Sequence, residues 1–375
     1  MREYDVIVIG GGHAGCEAAL AAARLGAQTL LLSHNLDHIA QMSCNPAVGG
    51  IGKGQVVREI DALGGEMGIN TDAARIQFRM LNRSKGPAVW SPRAQCDKVL
   101  YQRRMKHVLE RQPRLCLHQA EAVGLTFKQH GTVDGVRTQF GDTVRARTVV
   151  ITAGTFLRGV LHYGHTRFAG GRAGDPPADH LATDLTDHLG LELGRLKTGT
   201  PPRILAASID FAALQEQASD ADGRFSHWPD AADGWRSIAP PDLPQRPCYV
   251  TRTNAQTRDL VMANLERAPM FNGAISGTPT RYCPSFEDKV MRFEHHDSHH
   301  VYLEPEGSFT EEYYLNGIST SLPADVQWQL VRSLPGLERA ELSRYAYAIE
   351  YDFVCPHQLQ KSLAQIGRAS CRERV

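Results

Sequence analysis

The sequence predicts an α/β fold in which a parallel sheet opens the chain and a second domain is inserted between its early and late segments. Three observations predict it. A β-branched run, Tyr4-Asp5-Val6-Ile7-Val8-Ile9, leads directly into the turn Gly10-Gly11-Gly12-His13-Ala14-Gly15. An alanine-rich helical stretch, Cys16 to Leu25, ends at Gly26 and is followed by a second apolar run, Gln28 to Leu32. Far along the chain, Thr148 to Phe156 (TVVITAGTF) reads as another buried strand that closes on the small pair Ala153-Gly154.

Each element has a physical reason. Continuous apolar runs, not alternating ones, mark strands covered on both faces, as in a parallel sheet. The glycine turn satisfies GxGxxG between a strand and a helix, which is the context that gives this short pattern meaning. Its glycines permit a tight turn, close approach of backbone to a pyrophosphate, and close helix packing, while the helix N-terminus offers amide donors and a positive dipole end. A return strand more than a hundred residues later favours FAD over NAD at this first site, and the fold class becomes a two-dinucleotide-binding-domain (Rossmann-like) fold. The acidic residue that usually meets the ribose at the end of the second strand is absent. The strand ends Ser33-His34-Asn35, so ribose recognition falls to other polar groups or to Asp37 from the loop.

The chain has 375 residues, room for two or three domains. Lys plus Arg and Asp plus Glu number 41 each, so a nucleic-acid contact must come from a local patch and not from a global basic field. Eight cysteines without a CxxC pair argue against a disulfide framework or zinc ribbon and suit a reducing cytoplasm. The apolar run Val6 to Ile9 is too short for a signal-peptide core, and no run of about 18 apolar residues is present to cross a membrane.

The stretch Cys44 to Gly54, CNPAVGGIGKG, superficially resembles a phosphate loop. It has Ala47 where the first glycine is required and Gly54 where a Ser or Thr must hold magnesium, so it predicts no nucleoside triphosphatase.

Several long motifs together resemble the MnmG (GidA) family of FAD-dependent enzymes that modify the wobble uridine of certain tRNAs. They are residues 10–35, 41–65, 79–98, GGRAGDPPA (170–178), RLKTGTPPR (195–203), GTPTRYCPSFEDKV (277–290), residues 302–323 and YAIEYDF (347–353). The resemblance runs from about residue 4 to about residue 364. It implies addition of a carboxymethylaminomethyl or aminomethyl group at carbon 5 of the uridine, in a complex with the GTPase MnmE. That complex is a heterotetramer containing a homodimer of this protein. Methylene-tetrahydrofolate supplies the one-carbon unit and NADH the reducing equivalents. CNPAVGGIGKG then becomes a flavin-side loop whose glycines admit the isoalloxazine and which presents Cys44 to the substrate. The related folate- and FAD-dependent tRNA uridine methyltransferase is a second reading, and a non-catalytic flavin-binding fragment a third.

Carbon 5 of uracil is a poor nucleophile. Thiolate addition at carbon 6 makes it enolate-like, and a cysteine of lowered pKa suits that step. By sequence alone Cys44 and Cys283 read equally as buried packing residues; the resemblance makes both catalytic and leaves open which attacks. The backbone amides of the glycine loop and Lys53 are expected to favour the Cys44 thiolate. The resemblance also places FAD contacts on Gly10, Gly11, Gly12, His13, Ala14, Gly15, Ala122 and Ala178. It places NAD contacts on Pro279, Thr280, Arg281, Tyr282, Cys283, Pro284, Ser285, Phe286, Glu287, Asp288, Lys289, Val290, Met291, Arg292 and Phe293. Where the family often has Gly-Pro-Arg-Tyr-Cys, this chain has Pro279-Thr280 before Arg281. Cys16, Cys96, Cys116, Cys248 and Cys355 are read as packing residues.

Residues 75–114 are locally basic, and Arg75, Arg79 and Arg83 recur every four residues, as on one face of a helix. This is the expected tRNA phosphate contact. His295, His296, His299 and His300 lack a metal-ligand pattern, and no metal site is expected. The expected organisation is an FAD-binding first part (1–200), an inserted NAD- and substrate-side domain (201–285) and a return segment (286–364). Residues 365–375 resemble translated vector or adapter DNA. Phe225, Trp228 and Trp235 are the aromatic anchors of a loop-rich stretch, 218–247. The family's C-terminal helical domain is missing from this sequence, and weak FAD retention is expected.

Overall fold

Strand β1 (Glu3–Ile9), helix α1 (His13–Arg24) and strand β2 (Thr29–Ser33) form the expected opening unit. The computed structural model describes residues 3–128, 132–221, 223–228, 243–280, 283–293, 295–296, 298–364 and 373–374. β1 lies between β2 and the strand Thr143–Ile151, parallel to both, with Ile7 opposite Leu30 on one side and Val149 on the other. Leu115–Gln119 extends the sheet beyond β2, and Val133–Thr138 and Ala122–Phe127 continue it antiparallel on the other side.

The unbroken apolar runs have the predicted consequence: both faces are covered. Ile7, Ile9, Leu30 and Leu32 pack on one side with Leu181 and Leu185 of the helix Asp179–Asp187. Val8 and Leu31 pack on the other with Leu20 of α1 and with Tyr101, Met105 and Leu109 of the helix Lys98–Arg111. Full burial of one such side chain is worth about 1.5–3 kcal/mol.

The basic region departs from the helical expectation. Arg75–Leu81 is a strand, paired antiparallel with Ser91–Cys96, because Ile76 and Phe78 alternate into the core and the period of two prevails. Its cations are mostly committed. Arg93 pairs with Glu304 at 2.7 Å, Lys98 with Glu306 at 3.0 Å and Arg104 with Glu66 at 2.8 Å. Lys106 pairs with Asp37 at 2.8 Å and Arg83 with Asp220 at 3.1 Å. Lys85, Arg103 and Arg111 remain exposed.

A second sheet is antiparallel, in the order Gln215–Gln217, Cys248–Arg252, His300–Pro305, Glu312–Asn316, Arg203–Leu205, Leu342–Arg344. It draws strands from both sides of residue 285, where a boundary was expected. Val301, Leu303 and Leu315 share one core with Ile204, Phe286 and Val331, so the inserted unit continues to Arg344. Tyr347–Val354 then returns, pairing antiparallel with Leu193–Thr200 and Val160–Tyr163. The loop-rich stretch is tied back to the first unit. Phe225 is fully buried against Phe78, and the indole of Trp228 donates to the Asp61 carbonyl at 2.8 Å. Trp235 lies outside the described residues, as do residues 365–372 and 375; Glu373–Arg374 runs parallel to Thr143–Ile151.

Candidate active site

The glycine turn forms one end of a cavity of about 310 Å³. Its walls are Gly10 to His13, Ser33 to Asn35 after β2, Ala120 and Ala122, and Thr152 to Phe156 after the return strand, with Ala178 and Leu181 behind. The expected Ala122 and Ala178 are thus brought to the turn, and small residues there leave room for a ligand. A Cβ on Gly15 would lie 1.8 Å from the Gly10 carbonyl oxygen, so this glycine serves helix packing. A Cβ on Gly12 would meet nothing within 4 Å, and Gly12 caps α1 without any side-chain hydrogen bond. The first amides of α1 therefore remain open to an anion.

Among the described residues, three buried polar atoms on this lining have no hydrogen-bond partner: His13 Nε2, His34 Nδ1 and Gln41 Oε1. Buried polar atoms without partners are costly, and a polar ligand in the cavity would satisfy them. Burial lowers the His13 pKa to about 4, and lowers that of His34, so both are neutral at pH 7. The residues present fit a dinucleotide. Asp37 does not take the ribose role offered to it. Its carboxylate is 83% exposed, bound to Lys106 and off the lining, which leaves Ser33, His34 and Asn35 at that position.

The cavity wall continues through His38, whose Nδ1 lies 2.8 Å from Asp175, and through Arg172, which binds Asp175 and donates to the Ser43 hydroxyl at 2.8 Å. Arg172 and Asp175 also border an adjoining groove of about 840 Å³, lined by Tyr163, Phe168, Pro323 and Tyr345.

One residue beyond Ser43 stands Cys44. Its Sγ is 3.4 Å from the Gly199 carbonyl oxygen, and the Sγ of Cys283 is 3.4 Å from the same oxygen. Two segments far apart in sequence thus bring both expected thiols to one acceptor. Tyr314 Oη lies 3.0 Å from the Cys44 sulfur. Arg203, 4% exposed, donates to the carbonyls of Ser43 (3.3 Å) and Cys44 (3.1 Å) and to Glu306 (2.9 Å), and stacks over the Tyr314 ring. Tyr314 and Arg203 carried no sequence signal beyond their places in the family motifs.

The electrostatics at Cys44 differ from expectation. Burial, together with Cys283, raises its pKa; the Tyr314 hydrogen bond, the Arg203 charge and the Thr200 hydroxyl oppose that rise. Lys53 is exposed at the start of the helix Lys53–Ala62 and is not among the groups that act on this thiol. The loop glycines also serve a different end. Ala47–Gly49 is a strand paired with Ser91–Cys96, and a Cβ on Gly49 would lie 2.2 Å from the Pro92 carbonyl oxygen and 2.8 Å from the Phe225 ring. Gly49 and Gly54 let protein approach protein, and of the whole stretch 43–54 only Ser43 lines the cavity.

Residues Pro279 to Phe293 are only partly available for a second cofactor. Thr278–Pro279 pairs with Leu193–Thr200, Ser285 caps the helix Phe286–Arg292, and Phe286 and Val290 are in the core. Buried Glu287 accepts from Thr320 (2.8 Å) and Ser321 (3.1 Å), and Lys289 donates to the Gly317 carbonyl (2.9 Å). Asp288 is buried with Ser285, leaving Met291 and Phe293 exposed; Arg281 and Tyr282 lie outside the described residues. Cys16, Cys96 and Cys248 are buried, and burial raises each thiol's pKa, to about 12 for Cys16 and Cys248. Cys355 is half-buried and forms, with exposed Glu192 and His357, a group whose ligand atoms lie within 4.8 Å of one another. No sequence spacing announced it. Among the described residues, no helix is long and apolar enough to cross a membrane.

A sheet with a parallel centre and an open helix N-terminus over a polar crevice defines the two-dinucleotide-binding-domain class of α/β folds. The sequence matches the model of the family described as glucose inhibited division protein A over residues 5–369, and the chain belongs to that family. A tRNA uridine 5-carboxymethylaminomethyl modification enzyme MnmG of Protochlamydia amoebophila is 53% identical over 360 residues, 96% of this chain and 56% of that protein. The protein of that name from Geobacter metallireducens is 54% identical, with the same coverage. The structure of Aquifex aeolicus GidA in one crystal form superposes with a TM-score of 0.90 at 46% identity, covering 99% of this chain and 61% of that one. A second crystal form gives 0.88. The chain spans about half the length of the curated relatives it matches.

Proposed function

We propose that the protein acts in FAD-dependent modification of the wobble uridine of tRNA, adding a carboxymethylaminomethyl or aminomethyl group at carbon 5. The observation that carries this reading is the convergence of Cys44 and Cys283 on one carbonyl oxygen, one residue from the wall of the crevice that the glycine turn closes. Its relatives bearing the tRNA-modification name supply the substrate class.

The open amides of α1 would hold the pyrophosphate of FAD, Ser33 to Asn35 the ribose, and His13 would meet the cofactor as a neutral imidazole. Bound FAD supplies the redox chemistry, with NADH as reductant through the exposed part of residues 279–293. A cysteine thiolate adds to carbon 6 of the uracil, and the electron pair moves to carbon 5, which bonds to a methylene carbon derived from methylene-tetrahydrofolate. One C–N bond of the folate's methylene bridge breaks as that carbon bonds to carbon 5. Loss of the carbon 5 proton then expels tetrahydrofolate and leaves an exocyclic methylene. The amine of glycine, or ammonia, adds to it as the bond from carbon 6 to sulfur breaks, restoring the ring and the thiolate. MnmE is the partner, in a heterotetramer with a homodimer of this protein, in the cytoplasm. Exposed Arg83, Lys85, Arg103 and Arg111 are the candidate phosphate contacts.

The test is a titration with FAD followed by nucleoside analysis of wobble uridine, with the chain extended to the length of its relatives. Flavin binding with C5-modified uridine supports the reading. A colourless protein in saturating FAD overturns it, and a product carrying only a methyl group would favour the uridine methyltransferase.

A further inference from the structure

Cys44 and Cys283 share an acceptor and differ in their donors. The Gly199 oxygen can only accept, so the single proton of the Cys44 thiol points at it. The Tyr314 hydroxyl, 3.0 Å from the same sulfur, is then left as the donor. If the thiol proton departs to solvent, the sulfur anion faces a carbonyl dipole that repels it. Only a group that donates to the sulfur keeps the anion where the thiol stood. We propose that Tyr314 is the positioning residue of Cys44, its hydroxyl donating to the sulfur and holding the deprotonated form at the rim of the crevice.

The surroundings are built for this. Tyr314 lies directly opposite Arg203 on the neighbouring antiparallel strand, and opposite Glu304 on the other side. The Arg203 guanidinium is 5.1 Å from the phenol ring centre and also grips the Cys44 carbonyl, so one cation fixes the donor ring and the cysteine backbone together. Arg203 is itself fixed by Glu306, 2.9 Å away. The groups acting on the Cys44 charge are Tyr314 and Arg203 from the inserted sheet, Thr200 at the end of the strand Leu193–Thr200, Cys283 from the loop before Phe286, and Tyr347 from the return strand, with Glu304 behind Tyr314. Of these, Tyr314, Arg203 and Thr200 favour the anion, and the Tyr314 hydroxyl, 3.0 Å from the sulfur, is the larger of the two hydroxyl contributions. Cys283 has no hydroxyl donor of this kind among the described residues; Lys289 is its nearby cation.

The proposal rests on Cys44 being a working thiol, and its test needs no tRNA. In a Cys283→Ser background, iodoacetamide alkylation of Cys44 is followed against pH by peptide mass spectrometry. Tyr314→Phe is expected to slow alkylation at pH 8 about tenfold or more and to move the profile to higher pH, as loss of a hydrogen bond to a charged group requires. Tyr313→Phe is the control. Its hydroxyl meets Arg246 at 3.3 Å and not the thiol, so its profile should match the parent. Difluorotyrosine at position 314 keeps the shape and strengthens the donor, and should move the profile to lower pH even if Tyr314→Phe fails to fold. Superimposable profiles for parent, Tyr314→Phe and difluorotyrosine would overturn the proposal, as would an equal shift from Tyr313→Phe. Failure of the functional reading shows differently: Cys44→Ser in the extended chain would keep wobble-uridine modification while the alkylation profile still responded to Tyr314.

Discussion

The two ends of the crevice are made in opposite ways. The dinucleotide end is almost all local: Gly10 to Gly15 close a turn between a strand and the helix that follows it, and three strand ends complete the walls. The thiol end is almost all long-range. Cys44, Gly199 with Arg203, Cys283 and Tyr314 come from four places in the chain and meet through side-chain hydrogen bonds and one buried cation. A local site survives as a motif that can be read; a distributed one depends on two folded units staying in register.

Substitutions should therefore separate the two ends. The largest effect is expected from Cys44→Ser in the extended chain: uridine modification falls about a thousandfold or more, with FAD affinity unchanged in a spectroscopic titration. Loss of FAD binding would show that the ends are not separable. Glu306→Gln comes next. It leaves Arg203 and Lys98 without their buried carboxylate and should cost about 3–5 kcal/mol in denaturant unfolding. Because Arg203 also holds Cys44, flavin binding should persist while thiol reactivity changes.

Gly15→Val strikes the other end. Its Cβ has no room against Gly10, so FAD affinity should fall roughly 100-fold while Cys44 alkylation is retained. A smaller effect is tied to acid. The folded pKa of His13 is lowered to about 4 by burial, below the ordinary 6.5, so the unfolded chain binds the proton more readily. Its contribution to stability is complete above about pH 6.5 and is lost as the pH falls toward 4. His13→Asn should flatten the fall of melting temperature across that window; an unchanged slope would place the acid sensitivity elsewhere. The smallest effect is expected from Asp37→Ala, which should leave FAD affinity within about twofold, since the exposed Asp37–Lys106 pair is off the cavity wall.

What the sequence disclosed follows the same division. The opening strand, glycine turn and helix were readable because each residue's role depends on its immediate neighbours. The spacing of Arg75, Arg79 and Arg83 misled because a period of four fits a strand face as well as a helix face, and Ile76 and Phe78 decided between them by burial. The glycines after Cys44 looked as if they made room for a cofactor. Their neighbours, Pro92 and Phe225, are about 40 and 175 residues away, and nothing local reveals them. The ion pairs that occupy the basic region draw on Glu304, Glu306 and Asp220 and were invisible for the same reason.

The inserted unit leaves the first at Thr200 and rejoins it at Tyr347, and these two residues face each other across one strand pair. The stretch between them is fastened to the first unit at further points: Arg93 to Glu304, Lys98 to Glu306, and Thr278–Pro279 to Leu193–Thr200. Cys44 belongs to the first unit, whereas Tyr314 and Cys283 belong to the inserted one. The two sulfur atoms sit where these crossings gather, with Arg203 reaching from one side to the Cys44 carbonyl on the other, so the Cys44–Tyr314 gap is set by a clamp across the seam.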